Sequence, residues 1–285
     1  MTVMSPTESE GGAVAQAPQS APGRAGSETV ADQPRLAFRR MGLTFPDGTE
    51  AVRNVDLEIR RGEFVSLIGP SGCGKSTLLR VASGLLEPTS GEVLCDRSDI
   101  GYVFQDPTLL PWRTVRQNVE LFAELHGLPR KERAARAAEV LELVGLTGFE
   151  SKYPKALSGG MRSRVSMARS LLLHPSLFLF DEPFAAIDEI SRERLNDSLI
   201  QLFGIEKFSG VFVTHSIPEA CFLASRVVVM SSRPARITAV VDVPFPYPRT
   251  AELRFDKEFV DIARHVSSLL LESHYLNDRQ EAGQP

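Results

Sequence analysis

One glycine-rich segment has the residue types and the spacing needed to hold phosphate groups. Residues 69–76 read Gly-Pro-Ser-Gly-Cys-Gly-Lys-Ser and fit the pattern G-x-x-x-x-G-K-[ST]. Glycines let backbone N–H groups turn inward around phosphates, and the helix that follows adds the positive end of its dipole. In this pattern Lys75 reaches the terminal phosphates, where it also serves catalysis, and the Ser76 hydroxyl binds Mg²⁺. The predicted phosphate-binding residues are Gly69, Pro70, Ser71, Gly72, Cys73, Gly74, Lys75, Ser76 and Thr77.

Two adjacent carboxylates, Asp181 and Glu182, end the apolar run 177–180. An acid at the carboxyl end of a parallel strand lies where α/β sheets bind ligands. Asp181 can hold Mg²⁺ directly or through water, and Glu182 can polarise an attacking water. By themselves the two residues also fit a solvated turn, but the phosphate-binding segment favours a role in hydrolysis.

A second candidate anion site lies further along the chain, at Ser158, Gly159 and Gly160. A serine followed by two glycines at the start of a helix offers a hydroxyl, exposed N–H groups and the helix dipole. Taken alone, the same residues would indicate only a helix N-cap. Together with the first segment, they predict two helix starts that bind phosphate.

The segment from Leu157 to Met161, Leu-Ser-Gly-Gly-Met, resembles the signature sequence of the ATP-binding-cassette (ABC) ATPases, which normally reads L-S-G-G-Q. Met161 and Ser163 depart from the usual glutamines, but neither supplies the expected phosphate contacts. Within this family the chain most resembles the ATPases of nitrate, sulfonate, taurine and pyrimidine-precursor importers. The segments that carry this resemblance are 101–105, 110–112 and 181–184.

The resemblance implies roles for several further residues. Gln105 matches the glutamine that senses Mg²⁺ and the γ-phosphate, and His215 matches the switch histidine. Asp188 ends the segment 185–188, which looks like the D-loop, and Phe45 stands where the family has an aromatic stacked on adenine, although it also fits a core or turn aromatic. The implied catalytic residues are Glu182, His215, Gln105 and Lys75, and the implied Mg²⁺ ligands are Ser76, Gln105 and Asp181.

The resemblance also implies partners and a cellular location. Two copies would close head to tail over ATP and Mg²⁺, with each nucleotide between residues 69–76 of one copy and 158–160 of the other. Integral-membrane permease subunits would hold the ATPase on the cytoplasmic side of the membrane, and an extracytoplasmic solute-binding protein would act indirectly. Leu109, Leu110 and Trp112 form a candidate apolar docking patch, unless Trp112 belongs to the core.

The elements that must position these residues alternate between strands and helices. This order predicts an α/β fold, and the resemblance specifies a P-loop (RecA-like) core with an antiparallel β subdomain and an inserted α-helical subdomain. The predicted strands are 36–45, 51–59, 63–68, 91–95, 100–104, 177–180, 210–214, 226–230 and 236–241. Helices are expected at 75–83, at 114–144 with a break at 127–129, from Ser158 onward and at 251–275.

The predicted domains are a disordered tail at 1–34, an ATPase domain at 35–250 and a C-terminal helix and tail at 251–285. The helical subdomain is expected at about 106–165. Residues 1–34 lack large aromatic residues and cannot bury enough apolar surface to offset their ordering entropy. We therefore expect the tail to contribute little to catalysis.

Composition narrows the class of protein. The formal net charge of −4 argues against nucleic-acid binding, and no apolar run is long enough to cross a membrane. An ATPase of an ABC exporter and a soluble ABC ATPase of repair or translation are the alternatives. The compact insertion and single cassette disfavour the soluble class, and the presence of Glu182 and His215 disfavours a regulator without turnover.

Cys73 lies inside the phosphate-binding segment, next to Lys75 and a helix start. Positive charge favours a thiolate, so we expect Cys73 to react faster than Cys95 and Cys221. The alternative is that a small residue is needed at this position and cysteine merely fits.

Overall fold

The computed structural model describes residues 33–185 and 187–281 of the 285-residue chain. The predicted tail at 1–34 therefore lies outside the described residues except for its last two positions. Ala186, within the predicted D-loop segment, also lies outside them.

A small antiparallel sheet lies at the start of the described chain, with the strand order β2-β1-β4. Its strands are β1 (Leu36–Thr44), β2 (Glu50–Ile59) and β4 (Ser90–Cys95). Apolar residues of β1 and β2 point into a core that they share with the main sheet, whereas many of their polar residues are exposed. This alternation is what a sheet with one buried face requires.

The main sheet has six strands in the order β5-β6-β7-β3-β8-β9, and every neighbouring pair is parallel except β8 and β9. Its strands are β3 (Phe64–Ile68), β5 (Ile100–Val103), β6 (Leu177–Asp181), β7 (Ser209–Val213), β8 (Arg226–Met230) and β9 (Ile237–Asp242). All residues of β3, β6 and β7 are buried, as expected for central strands covered on both faces. The predicted fold class is confirmed.

Helices cover this sheet and fill the long connection between β5 and β6. They are α1 (Lys75–Ala82), α2 (Val115–Val119), α3 (Leu121–Leu125), α4 (Arg130–Leu143), α5 (Gly159–Leu171), α6 (Glu189–Glu206), α7 (Ile217–Leu223) and α8 (Lys257–Glu281). The predicted helical stretch 114–144 has a second break, because the backbone of Glu120 (ψ −9°) ends α2 and starts α3. The sequence prediction did not include α6 and α7.

Aromatic packing holds α6 against the main sheet. Phe203 of α6 meets Phe64 of β3 edge to face, with ring centroids 5.3 Å apart, and meets Phe208 at the same distance. Such pairs add about 0.5–1.5 kcal/mol each beyond the burial of their area. The position of α6 matters for the site because the helix begins directly after the predicted D-loop.

The C-terminal helix begins later than the sequence prediction. Residues Ala251–Phe255 form a 3-10 helix, and α8 starts at Lys257. The reason is local: the Asp256 carboxylate accepts the N–H groups of Glu258 (2.8 Å) and Phe259 (3.3 Å), which is the geometry of a helix N-cap.

Arg249 joins this C-terminal segment to the helix α7. Its buried guanidinium donates hydrogen bonds to the carbonyl oxygens of Cys221, Phe222 and Ala224 at 2.8–3.0 Å. These carbonyls are at the C-terminal end of α7, where a positive charge is favourable. The bonds fix α7 to the segment that precedes α8.

None of the helices within the described residues has the length and apolar character that a bilayer-spanning segment needs.

Candidate functional site

The carboxyl ends of four parallel strands bring the predicted catalytic residues to one edge of the main sheet. The strand β3 runs into the glycine-rich segment, β5 precedes Gln105, β6 ends at Asp181, and β7 precedes His215. Because these strands are parallel neighbours, the segments that follow them all lie at the same edge.

The glycine-rich segment forms a tight loop between β3 and α1. Gly74 has φ +132°, a conformation that L side chains rarely adopt, and a Cβ atom at this position would lie 2.9 Å from the carbonyl oxygen of Ala51. Glycine is therefore required here both by the backbone conformation and by the close approach of β2. The loop delivers the chain into α1 at Lys75.

Lys75 is held inside this loop. Its side chain donates from Nζ to the carbonyl oxygens of Gly69 and Pro70, both at 2.9 Å, and only 5% of the residue is exposed. An ammonium in this position, beside the start of a helix, creates the positive environment that a polyphosphate needs.

Ser76 and Asp181 come together although they lie far apart in the sequence. The Ser76 hydroxyl donates to Oδ1 of Asp181 at 2.6 Å, and the Tyr102 hydroxyl donates to Oδ2 at 3.3 Å. Burial raises the pKa of Asp181, while the two hydrogen bonds oppose the shift. A serine hydroxyl next to a carboxylate is an oxygen donor set of the kind that suits Mg²⁺.

Glu182 and His215 form the second pair. Nδ1 of His215 lies 3.1 Å from Oε2 of Glu182, and the two side chains are 55% and 19% exposed. Glu182 adopts a left-handed backbone (φ +46°), and its N–H donates to the carbonyl oxygen of Val213 at 3.0 Å. This bond to β7 turns the carboxylate toward the histidine, where a base that activates water could act.

Gln105 and Phe45 stay outside these hydrogen-bonded pairs. Gln105 is exposed in the segment after β5, and Phe45 is half-buried in the turn between β1 and β2, packed against the core of the small sheet. Their assigned roles, as sensor of Mg²⁺ and γ-phosphate and as adenine platform, remain predictions.

Ser158 and Asp188 are each the N-cap of a helix. Oγ of Ser158 accepts the N–H of Met161 (3.2 Å) at the start of α5, and Oδ1 of Asp188 accepts the N–H of Ser191 (2.9 Å) at the start of α6. The helix α5 packs on α2, α4 and β5. Among the described residues, no hydrogen bond joins Ser158, Gly159 or Gly160 to the loop that holds Lys75.

The structure argues against the expected reactivity of Cys73. Only 1% of Cys73 is exposed, and burial raises the pKa of its thiol despite the nearby Lys75. A raised pKa leaves less thiolate at neutral pH. The side chain points into the core that β3 and the small sheet share, so the alternative interpretation, a small residue that fits, agrees with the structure. Cys95 is the most accessible of the three cysteines.

The interpretation of Trp112 as core is also wrong. Trp112 is 71% exposed, whereas Leu109 packs against the hydrophobic core. Trp112 lies at the rim of a cleft of about 720 Å³ on the helical region. Other residues that line the cleft are Arg113, Arg116, Glu120, Arg133 and Glu150.

Sequence reasoning missed Tyr102. Its hydroxyl contacts Asp181, and its ring stacks on Phe104 with centroids 4.1 Å apart. The available signal was weak: Tyr102 lies in the strand before Gln105, but only the pairing of β5 with β6 puts it beside Asp181.

Comparisons with known proteins identify the family of this chain. The ABC transporter family model matches residues 52–185. The nitrate import ATP-binding protein NrtD of Synechocystis sp. is 44% identical, covering 77% of this chain and 88% of that protein. The aliphatic sulfonates import ATP-binding protein SsuB 2 of Pseudomonas syringae pv. tomato is 42% identical, covering 80% and 93%.

A solved structure also matches. The ATP-binding cassette MJ0796, solved as a dimer in a post-hydrolysis state with ADP and phosphate, has a TM-score of 0.69 and 32% identity, covering 74% of this chain and all of that one. NrtD and SsuB 2 are more than 40% identical to this chain and are matched over most of their length, which establishes the family. The chain therefore belongs to the ABC transporter family, as an ATP-binding subunit with ATPase activity.

Proposed function

We propose that this chain is the ATP-hydrolysing subunit of an importer for a small solute of the nitrate and sulfonate class. The observation that carries the hydrolytic part of the proposal is the pairing of Glu182 with His215 beside Ser76 and Asp181, at the sheet edge where β3 runs into the loop of Lys75. The named functions of NrtD and SsuB 2, nitrate import and sulfonate import, support the class of solute.

In this proposal a few residues carry out the separate tasks of ATP hydrolysis. Lys75 and the backbone N–H groups of its loop bind and orient the phosphates, which positions the γ-phosphate for attack. Glu182 accepts a hydrogen bond from the attacking water and so polarises it, and His215 holds the Glu182 carboxylate in place. Ser76 and Asp181, with Gln105, would hold Mg²⁺, which when bound neutralises phosphate charge.

One copy of the chain supplies only half of each nucleotide site in this proposal. Ser158, Gly159 and Gly160 begin α5, whose exposed N–H groups and dipole suit an anion. Because these residues make no hydrogen bond to the loop of Lys75 within the described part of the chain, a second copy would bring its own Ser158 to the γ-phosphate. The dimeric state of MJ0796 supports this arrangement.

A permease would dock in the cleft that Trp112 rims. Arg133 pairs with Glu120 there at 3.3 Å, and Arg113 pairs with Glu124 at 2.7 Å, so the cleft combines an exposed aromatic side chain with charges of both signs. Exposed aromatic side chains are common anchors of protein interfaces. The proposed location is the cytoplasmic side of the membrane, with an extracytoplasmic solute-binding protein as an indirect partner.

The importer proposal can be tested by solute uptake. A strain that lacks this chain should lose the uptake of one labelled solute among nitrate, taurine and other sulfonates. Wild-type chain should restore uptake, whereas Glu182→Gln should not, because transport requires hydrolysis. Unchanged uptake of all these solutes, with reduced efflux of another compound, would show an exporter instead.

The shared site predicts that dimer formation depends on ATP. Purified Glu182→Gln protein should be a monomer without nucleotide and a dimer with ATP in light scattering, because bound ATP joins the two copies. Adding Ser158→Arg should prevent the dimer and leave ATP binding to the single copy within about threefold, since the arginine fills only the trans contact.

Ser268→Arg on the exposed surface of α8 is the matched control and should still dimerise. A dimer that persists in the Ser158→Arg protein would contradict the shared site.

A further inference from the structure

Glu219 is a buried carboxylate that the proposed mechanism does not use. It lies in the first turn of α7, and only 6% of the residue is exposed. Its Oε2 accepts the hydroxyl of Thr214, and its Oε1 accepts Nδ2 of Asn196 at 3.2 Å. Burial raises the pKa of Glu219, while both hydrogen bonds oppose the shift. A buried carboxylate is costly unless it is hydrogen-bonded, and these two partners offset that cost.

The Thr214 bond reaches the catalytic pair. Oγ1 of Thr214 also accepts the N–H of Ser216 at 3.0 Å, so the residues on both sides of His215 are joined through this one hydroxyl. Thr214 itself is 3% exposed at the end of β7. Glu219 therefore holds the loop that carries His215 through Thr214. In that loop, Nδ1 of His215 lies 3.1 Å from Oε2 of Glu182.

The Asn196 bond joins Glu219 to α6, the helix that begins directly after the predicted D-loop. Asn196 is 4% exposed on α6, the helix that Asp188 caps. On the same helix, Arg192 donates to the carbonyl oxygen of Ile187 at 2.9 Å. Arg192 and Glu219 line one narrow cleft together with Glu182 and His215. Glu219 therefore joins the His215 loop to α6. We expect the relative position of these two elements to orient His215 toward Glu182.

We propose that Glu219 is a positioning residue for ATP hydrolysis, which holds the His215 loop against Glu182 through Thr214 and ties that loop to α6 through Asn196. The proposal rests on the roles proposed above for His215 and Glu182. The alternative is a purely structural role, in which the carboxylate only stabilises the start of α7. In that case, loss of its contacts would lower the melting temperature and leave kcat for ATP hydrolysis unchanged.

Thr214→Val separates these roles because it removes the hydroxyl and keeps the shape. In the purified full-length chain we expect kcat for ATP hydrolysis to fall about tenfold, because the proton-accepting pair is misplaced, with KM and ATP affinity within about twofold of wild type. Glu219→Leu should behave like Thr214→Val. Glu219→Gln should recover at least about a third of wild-type kcat, because its amide can still bond Thr214 and Asn196. Thr238→Val, in β9, is the matched control and should leave kcat unchanged.

A double-mutant cycle with His215→Ala distinguishes positioning of His215 from a purely structural role, because it measures whether the two substitutions affect kcat through the same group. If Thr214 acts through His215, Thr214→Val should lower kcat no further in the His215→Ala protein. Full additivity, wild-type kcat in Thr214→Val, or a fall in melting temperature without a fall in kcat would each overturn the role of Glu219. If His215→Ala and Glu182→Gln themselves hydrolyse ATP normally, the proposed site fails, and the Glu219 proposal fails with it.

Discussion

Glu182→Gln is expected to lower kcat for ATP hydrolysis by about 10²–10⁴-fold while ATP affinity stays close to wild type. The amide keeps the size of the side chain and the contact with His215, but it cannot polarise water as a carboxylate does. Glu182 is also distinct from its neighbour: Asp181 is bound to Ser76 and Tyr102, whereas Glu182 faces His215. The loss should therefore fall on the chemical step and not on binding.

Phosphate release under saturating ATP measures kcat, and a fluorescent nucleotide measures affinity. Glu193→Gln, on the exposed face of α6, is the matched control and should turn over like wild type. Wild-type turnover by the Glu182→Gln protein would remove Glu182 from the mechanism, and loss of ATP binding would assign it to the binding site instead.

Lys75→Ala is expected to weaken ATP binding by about 10²-fold or more, since removing one partner of a buried, hydrogen-bonded charge pair costs about 2–5 kcal/mol. The ammonium is already oriented within the loop by the carbonyl oxygens of Gly69 and Pro70, so little ordering cost opposes its contact with phosphate. The substitution leaves the backbone of the loop intact, because the conformation depends on glycines such as Gly74.

Calorimetric titration with ATP measures this effect, and circular dichroism checks that the variant is folded. Lys257→Ala, which removes an exposed lysine at the start of α8, should bind ATP like wild type. A Lys75→Ala protein with unchanged affinity would mean that the loop does not receive the phosphates.

The strands and the position of the glycine-rich loop between β3 and α1 could be predicted well from the sequence. The predicted bounds of the strands agree with the observed ones to within one residue at each end, because continuous apolar runs such as 177–180 and alternating ones such as 51–59 mark burial directly. The helical regions were harder. The break at Glu120 and the start of α8 at Lys257 depend on single caps and turns. The helix α6 has weak amphipathic periodicity because Ile190 and Ile205 are exposed while Asn196 is buried.

The chemistry of individual side chains depends on which distant residues surround them. Cys73 lies beside Lys75 in the sequence, which favours a thiolate, but the side chain is buried in the core, which disfavours one, and burial prevails. The partners of Asp181 illustrate the same point, since Tyr102 reaches it only through the pairing of β5 with β6.

The sequence by itself indicated the family, the glycine-rich loop and the two carboxylates proposed for hydrolysis, Asp181 and Glu182. These depend on short segments whose backbone conformation is local, since a glycine with φ +132° such as Gly74 is required wherever this loop forms. The tertiary structure alone decided that His215 meets Glu182 at 3.1 Å, that Cys73 is buried, and that Glu219 joins the His215 loop to α6. The physical reason is that burial, desolvation and side-chain contacts are properties of packed elements, and those elements come from distant parts of the chain.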